Sequence, residues 1–298
     1  MNERIIGHER ERTLLRTLVS DSRLPHHAFL ISGPESIGKS LVAAEFAAAL
    51  LGIEPEKLTS SQDFRRIAPK MKKSGQEAAI PIESVRDAGV FLSRFPAESG
   101  RRVLLIESAD RMSDGAQNAI LKTLEEPNDT SVLILTSARP GGIRETLRSR
   151  SFPVACSLVP EERIREGVEA SFDAAARDTI EPFFYSLGRP GIIVSALEDP
   201  DHFASRRDML RSLITLSKAT PFERIALAEK LADSVPEALR LLEWWASGLR
   251  AMKRDEADPR QIRATYRLLE AIEETSRLLR STNANARLLL DKLFLVSV

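Results

Sequence analysis

Cysteine is nearly absent: the chain has one, Cys156, in 298 residues. A lone thiol excludes a disulfide framework, and it excludes a zinc ribbon built from the chain's own cysteines. Its neighbours mark Cys156 as a half-buried structural thiol. An excess of one charge is missing too, because 43 lysines and arginines face 43 aspartates and glutamates. A net charge of zero argues against a dedicated, sequence-specific DNA binder with a broad basic face, although a local basic patch is still allowed. Long apolar runs are also lacking, and none approaches the ~20 residues of a membrane span. Met1-Asn2-Glu3-Arg4 leads straight into polar sequence without a secretory pattern, so a soluble, cytoplasmic protein with no membrane partner is expected.

What the chain does have is a complete phosphate-binding pattern. Residues 33–40 read GPESIGKS, which fits G-x-x-x-x-G-K-[ST]. The apolar run 27–32 before it suits a buried strand, and 41–51, rich in Ala and Leu, suits a helix. Gly33 and Gly38 let the backbone curl until successive N–H groups face inward as an anion nest. The helix beginning near Lys39 adds its positive end. Lys39 is placed to reach the β- and γ-phosphates, and Ser40 to put its hydroxyl on Mg²⁺. ATP with Mg²⁺ is the expected cofactor.

The length suits two domains, or three small ones. Segment 12–19 looks helical. Runs 102–107 and 131–136 are too continuously apolar for a one-sided sheet, and 152–155 is a shorter strand candidate. Continuous apolar strands separated by helices imply an α/β domain with a parallel sheet covered on both faces. Residues 53–80 are less regular and read as an excursion with a basic tip at Lys70, Lys72 and Lys73. A solvated loop and a phosphate-backbone contact are both open for those lysines, and also for Lys122. Beyond 158 the strands stop, and Leu187-Gly188-Arg189-Pro190-Gly191 breaks two helices. Amphipathic stretches at 202–218, 221–234, 236–253, 259–280 and 284–296 predict an all-α bundle. Trp244-Trp245 is either core filler or a partner anchor.

An NTP loop calls for a downstream apolar strand that ends in an acid for Mg²⁺, followed by a carboxylate that polarises the attacking water. Here the strand ends Glu107-Ser108-Ala109-Asp110. Glu107 can hold a Mg²⁺-bound water, but Ser108 cannot act as a general base, and loss of a positioned base costs about 10²–10⁴ in rate. Asp110 would share Ser108's side if the strand end stays extended.

Asn-Ala-Ile-Leu-Lys-Thr-Leu-Glu-Glu-Pro at 118–127, the strand ending Leu135-Thr136-Ser137, and Leu147-Arg148-Ser149-Arg150-Ser151 resemble bacterial clamp-loader AAA+ subunits of DNA polymerase III. Within them, the delta-prime type is the nearest in pattern. Asn283 to Leu293 is similar to the end of that family's collar. The resemblance spans essentially the whole chain and is densest over 24–50 and 80–156. It implies an AAA+ P-loop domain over 1–157, a helical lid over 158–201 and a helical collar for oligomerisation over 202–298. It makes Arg150 a catalytic arginine acting in trans on ATP held by a neighbouring subunit, with Arg148 and Arg144 as rivals. Thr136 or Ser137 takes the sensor position. The implied partners are gamma/tau and delta subunits, bound through collar and AAA+ faces, with the sliding clamp and primed DNA met through the complex. Three departures stand out: Ser108 in place of the catalytic acid, no four-cysteine zinc module, and Gly191 where ATPase subunits carry a sensing arginine, with Arg189 close but out of register. They favour a stationary subunit with little or no hydrolysis of its own. An active gamma/tau-like ATPase and an unrelated P-loop kinase or AAA+ enzyme are the alternatives.

Overall fold

The computed structural model describes residues 5–20, 24, 26–70, 78–125, 128–178, 180, 184, 187–198, 200–252, 258–281 and 285–296. The chain forms two compact units, Met1–Ala174 with Gly188–Gly191, and Ala175–Leu187 with Ile192–Val298.

The first unit is built on a five-stranded sheet in the order β2-β3-β4-β1-β5, and every pairing is parallel. Its strands are β1 (Ala28–Ser32), β2 (Phe64–Ile67), β3 (Arg102–Ile106), β4 (Ser131–Ser137) and β5 (Phe152–Ala155). Side chains alternate across a strand, so the continuous apolar runs divide cleanly between two layers. Phe29, Ile31, Val103, Leu105, Val132, Ile134 and Val154 pack with Leu15 of α1 (Glu9–Ser20) and with Val42, Ala43 and Phe46 of α2 (Lys39–Leu51). Ala28, Leu30, Leu104, Ile106, Leu133 and Leu135 pack on the other side. Their partners there include Val85 and Ala88 of α3 (Ile82–Leu92), Ala116 and Ile120 of α4 (Asp114–Glu125), and Leu147 of α5 (Glu145–Arg148). This is the doubly covered α/β sheet that the composition of the strands predicts.

Within segment 53–80, residues 53–70 carry regular elements that the sequence did not suggest. A 3-10 turn at Pro55–Ser60 buries Leu58, and β2 then adds the edge strand beside β3. The strand was hard to read because it carries Arg65 and Arg66, and an edge strand with one solvated side needs no apolar run. Its start is tied to the loop before β3. Asp63, fully buried, accepts the N–H groups of Ala97, Glu98 and Ser99 at 2.7, 2.8 and 2.7 Å. Arg102 follows the same loop, donating to the Phe95 and Phe91 carbonyls with its guanidinium 4.7 Å from the Phe91 ring. Lys70 and Lys122 are exposed; Lys72, Lys73 and the Glu126-Pro127 end of the 118–127 motif lie outside the described residues.

α6 (Glu161–Ser171) still belongs to the first unit, the chain crosses between the units around α7 (Ala174–Asp178) and α8 (Pro190–Glu198), and the second unit continues through α9 (Pro200–Lys218), α10 (Pro221–Ala232), α11 (Val235–Met252), α12 (Pro259–Ser281) and α13 (Ala286–Val296). Trp245, fully buried, is its largest core side chain, and its ring lies 5.6 Å from that of Phe294. The indole N–H donates to the Met209 carbonyl at 2.9 Å, which satisfies the one polar atom this core residue carries. Trp245 is therefore core filler. Thr220 and Glu223 form a reciprocal capping box at the start of α10. Arg224 donates to the Phe294 carbonyl near the end of α13 at 3.1 Å, where orphan helix carbonyls need donors.

Candidate nucleotide site

Parallel strands place their carboxyl ends on one edge of the sheet. Residues 33–40 after β1, 107–110 after β3 and the last two residues of β4 therefore gather there. This edge is where ligands bind in open α/β sheets.

The phosphate loop leaves β1 through Gly33, whose φ is +150°. A Cβ there would sit 2.2 Å from the Cys156 carbonyl oxygen, so no side chain fits. The Gly33 N–H donates to Ser137 O at 3.1 Å, and the Cys156 N–H to Ser32 O at 2.8 Å. The loop thus starts locked between β4 and the end of β5. Gly38 precedes α2 with φ +99° and open space around it, so glycine is needed there for its backbone angle and not for room. Ser36 is also left-handed, at φ +60°. Two left-handed residues within three positions curl the chain into the concave form that presents N–H groups to an anion. Lys39 and Ser40 open α2 at its positive end. The residues present fit a Mg²⁺-nucleotide polyphosphate.

Lys39 is part-buried, and its ammonium donates to the Pro34 carbonyl of its own loop at 2.6 Å. Burial is the largest influence and pulls its pKa below the ordinary lysine value. Glu35, Cys156 and Asp110 oppose that fall, and Arg189 adds to it. Cys156, expected to be half-buried, is only 3% exposed. Burial first, and then Glu11, push its thiol up to about 11, while Lys39 pulls the other way, so it stays protonated and unreactive near neutrality.

At the end of β3, Glu107 is buried and accepts from Arg66 of β2 at 2.8 Å. The chain does not continue extended. Ser108 turns left-handed at φ +48°, and residues 109–111 form a 3-10 turn. The extended end that would put Asp110 on Ser108's side is therefore not formed. Its carboxylate accepts from Ser137 Oγ at 2.7 Å. Thr136 Oγ1 accepts the Ser108 N–H at 3.2 Å. Both sensor candidates, each almost fully buried, thus pin the turn that follows β3.

Arg150 lies elsewhere. It precedes β5, whose Phe152 pairs with Phe29, four residues before Gly33. A strand's length, roughly 13 Å, separates that level from the phosphate loop. Its guanidinium donates to Thr146 O at 3.1 Å and sits 3.6 Å from Glu125, at the end of α4. It is exposed on the amino edge. Its rivals are engaged separately, Arg144 with Asp114 at 3.6 Å and Arg148 with Glu145.

Two residues were missed in the sequence. Gln117, buried on α4, donates to the Met112 and Gly142 carbonyls and accepts the Arg144 N–H, so it anchors the segment leading to the arginines. Its signal was a polar residue on the apolar stripe of α4. His8 contacts the phosphate loop through Ile37 O at 2.7 Å, and nothing in the local pattern pointed to it.

The sequence pattern of the family described as "DNA polymerase III, delta subunit" matches residues 7–158. DNA polymerase III subunit delta' of Pseudomonas aeruginosa is 34% identical over 163 residues, covering 51% of this chain and 47% of that protein. DNA polymerase III subunit tau of Escherichia coli is 28% identical over 172 residues, covering 55% of this chain and 27% of that one. The match thus spans about half the length of the first relative and about a quarter of the second. In three dimensions the chain is similar to a DNA polymerase III gamma subunit-related protein from Thermotoga maritima. That likeness has a TM-score of 0.51 at 18% identity, covers 95% of this chain and 97% of that one, and is a likeness of fold.

Proposed function

From the premise that the chain belongs to the DNA polymerase III delta-subunit family, we propose that it is a delta-prime-like, stationary subunit of a bacterial clamp loader. It binds nucleotide without turning it over quickly, and it lends Arg150 to the active site of a neighbouring ATPase subunit.

One observation carries this. Ser108 stands where a water-activating carboxylate is needed, and neither flanking acid takes over as that base: Glu107, on the Mg²⁺ side, is paired with Arg66, and Asp110 accepts from Ser137. Gly33, Gly38, Lys39 and Ser40 would hold the phosphates, with Ser40 and Glu107 on the Mg²⁺ side and Thr136 and Ser137 next to them. Bound ATP supplies the phosphoanhydride whose cleavage needs a positioned base, and Ser108 is not one.

The placement of Arg150 supports a role in trans. Its exposed guanidinium rests on Thr146 and Glu125 at the amino edge, opposite its own phosphate loop. At a neighbour's active site it would neutralise charge developing on a γ-phosphate. The helical region 202–298 serves as the collar that joins gamma/tau and delta subunits, residues 158–201 as a lid, and residues 1–157 as the AAA+ face. The sliding clamp and primed DNA are met through the assembled complex.

A gamma/tau-like active ATPase is the second reading, favoured by the complete phosphate-loop pattern. Turnover of the purified chain with MgATP separates the two. Turnover at or near the no-enzyme rate, unchanged in Lys39→Ala, is expected; robust turnover abolished by Lys39→Ala would sink the stationary reading.

A further inference from the structure

We infer that His8 and Gly191 are positioning residues of the phosphate loop. They hold two consecutive peptides from behind, so that the N–H groups of Ile37 and Gly38 face the anion. The inference rests on the nucleotide-binding reading above and adds to it a brace that lies outside the loop.

The Gly191 N–H donates to Ser36 O at 2.8 Å, and His8 Nε2 lies 2.7 Å from Ile37 O. A carbonyl can only accept, so Nε2 carries the hydrogen. In a trans peptide the C=O of one residue and the N–H of the next point in opposite directions. Holding the Ser36 and Ile37 carbonyls outward therefore turns the Ile37 and Gly38 N–H groups inward. Ser36 at φ +60° is a conformation that a side-chain-bearing residue keeps only when its surroundings enforce it. The Gly191 contact is such an enforcement.

Both arms are stiff, and both lean on one residue. His8 is 7% exposed and left-handed, and its carbonyl accepts the Arg12 N–H at 2.9 Å as α1 begins. Gly7 before it has φ +81°, and a Cβ there would come within 2.8 Å of the Val159 side chain. On the other arm, Gly188 O accepts the Val159 N–H at 2.8 Å. Gly191 must lack a side chain, since a Cβ would lie 2.7 Å from Ser36 O. Position 191 thus serves the loop through its main chain.

The test uses the full chain with MgADP as the probe. Titration calorimetry gives affinity, and amide hydrogen exchange at Ile37 and Gly38 gives a readout that needs no nucleotide. His8→Leu is expected to weaken MgADP roughly 3- to 10-fold, the range of one lost hydrogen bond, and to speed exchange at both amides. His8→Gln, whose amide can also donate, should restore most of the affinity. Gly191→Ala should weaken binding independently, so the test survives a His8 variant that fails to fold. The inference is overturned if wild type binds MgADP and His8→Leu binds it equally well, if His8→Gln is as weak as His8→Leu, or if the two amides do not respond. Wild type that binds no MgADP while the amides still respond would overturn the nucleotide reading and leave the brace standing.

Discussion

The two edges of the sheet in the first unit are held by different means. At the carboxyl edge the backbone does most of the work. Gly33, Ser36, Gly38 and Ser108 sit at positive φ, and main-chain donors from Gly33, Ser108 and Gly191 tie the loops together. At the amino edge side chains hold the structure. Asp63 collects three backbone N–H groups, Arg102 braces the same loop, and Arg150 rests on exposed partners. A site that must present N–H groups to an anion needs fixed peptides, and fixed peptides come from glycines and cross-loop bonds. The trans role proposed for Arg150 calls for the opposite, a long and lightly tethered side chain.

The largest expected effect tests the amino edge. Arg150→Ala should leave assembly of a reconstituted clamp loader intact while lowering its DNA-dependent ATPase by about 10³ at the affected interface. An unchanged ATPase would mean that Arg150 is misassigned. Gly33→Ala tests the opposite edge. With a Cβ driven to 2.2 Å from a backbone oxygen, it should cost about 2–4 kcal/mol in urea unfolding. A loss under ~0.5 kcal/mol would show that the start of the loop is not rigid.

Asp63→Asn should cost about 1–3 kcal/mol, because the charged acceptor is lost and an NH₂ is turned toward backbone donors. Burial alone would raise the Asp63 pKa, but the N–H groups of Ala97, Ser99 and Glu98, with Arg102, outweigh it and hold the carboxyl below the ordinary aspartate range. A depressed native pKa gives stability that is complete above the unfolded value of about 3.9 and is lost as pH falls through the native one. Wild type should therefore show an acid-limb loss of stability that Asp63→Asn lacks. The smallest effect belongs to Arg66→Ala. Its ion pair with Glu107 is half exposed on the arginine side, so under ~1 kcal/mol is expected in thermal melts, with salt shrinking the difference.

The phosphate loop and the four apolar strands were legible because each is a local pattern: fixed glycine spacing in the first case, unbroken apolar residues in the second. For Trp245 the sequence left core filler and partner anchor both open, and its complete burial against Phe294 decided for core. β2 was not legible, since two arginines in a short edge strand look like a loop. Asp63 was not legible either, since its partners lie more than thirty residues away. The turn at Ser108 defeated the extended reading because a left-handed serine has no local signature; only the Thr136 and Ser137 hydroxyls, delivered by the adjacent strand, make that geometry worthwhile.

Sequence by itself determined that this chain carries a P-loop on an α/β sheet followed by a helical region, and that a serine, Ser108, follows Glu107 at the end of β3. Those are properties of residue type and spacing, which the chain states directly. Tertiary structure decided which groups meet: Glu107 with Arg66, Asp110 with Ser137, the Ser36 and Ile37 carbonyls with Gly191 and His8. It also decided that Arg150 lies on the edge opposite the phosphate loop of its own chain. Such pairings depend on strand order and parallel direction, which bring distant residues to a common edge or part near ones across the sheet.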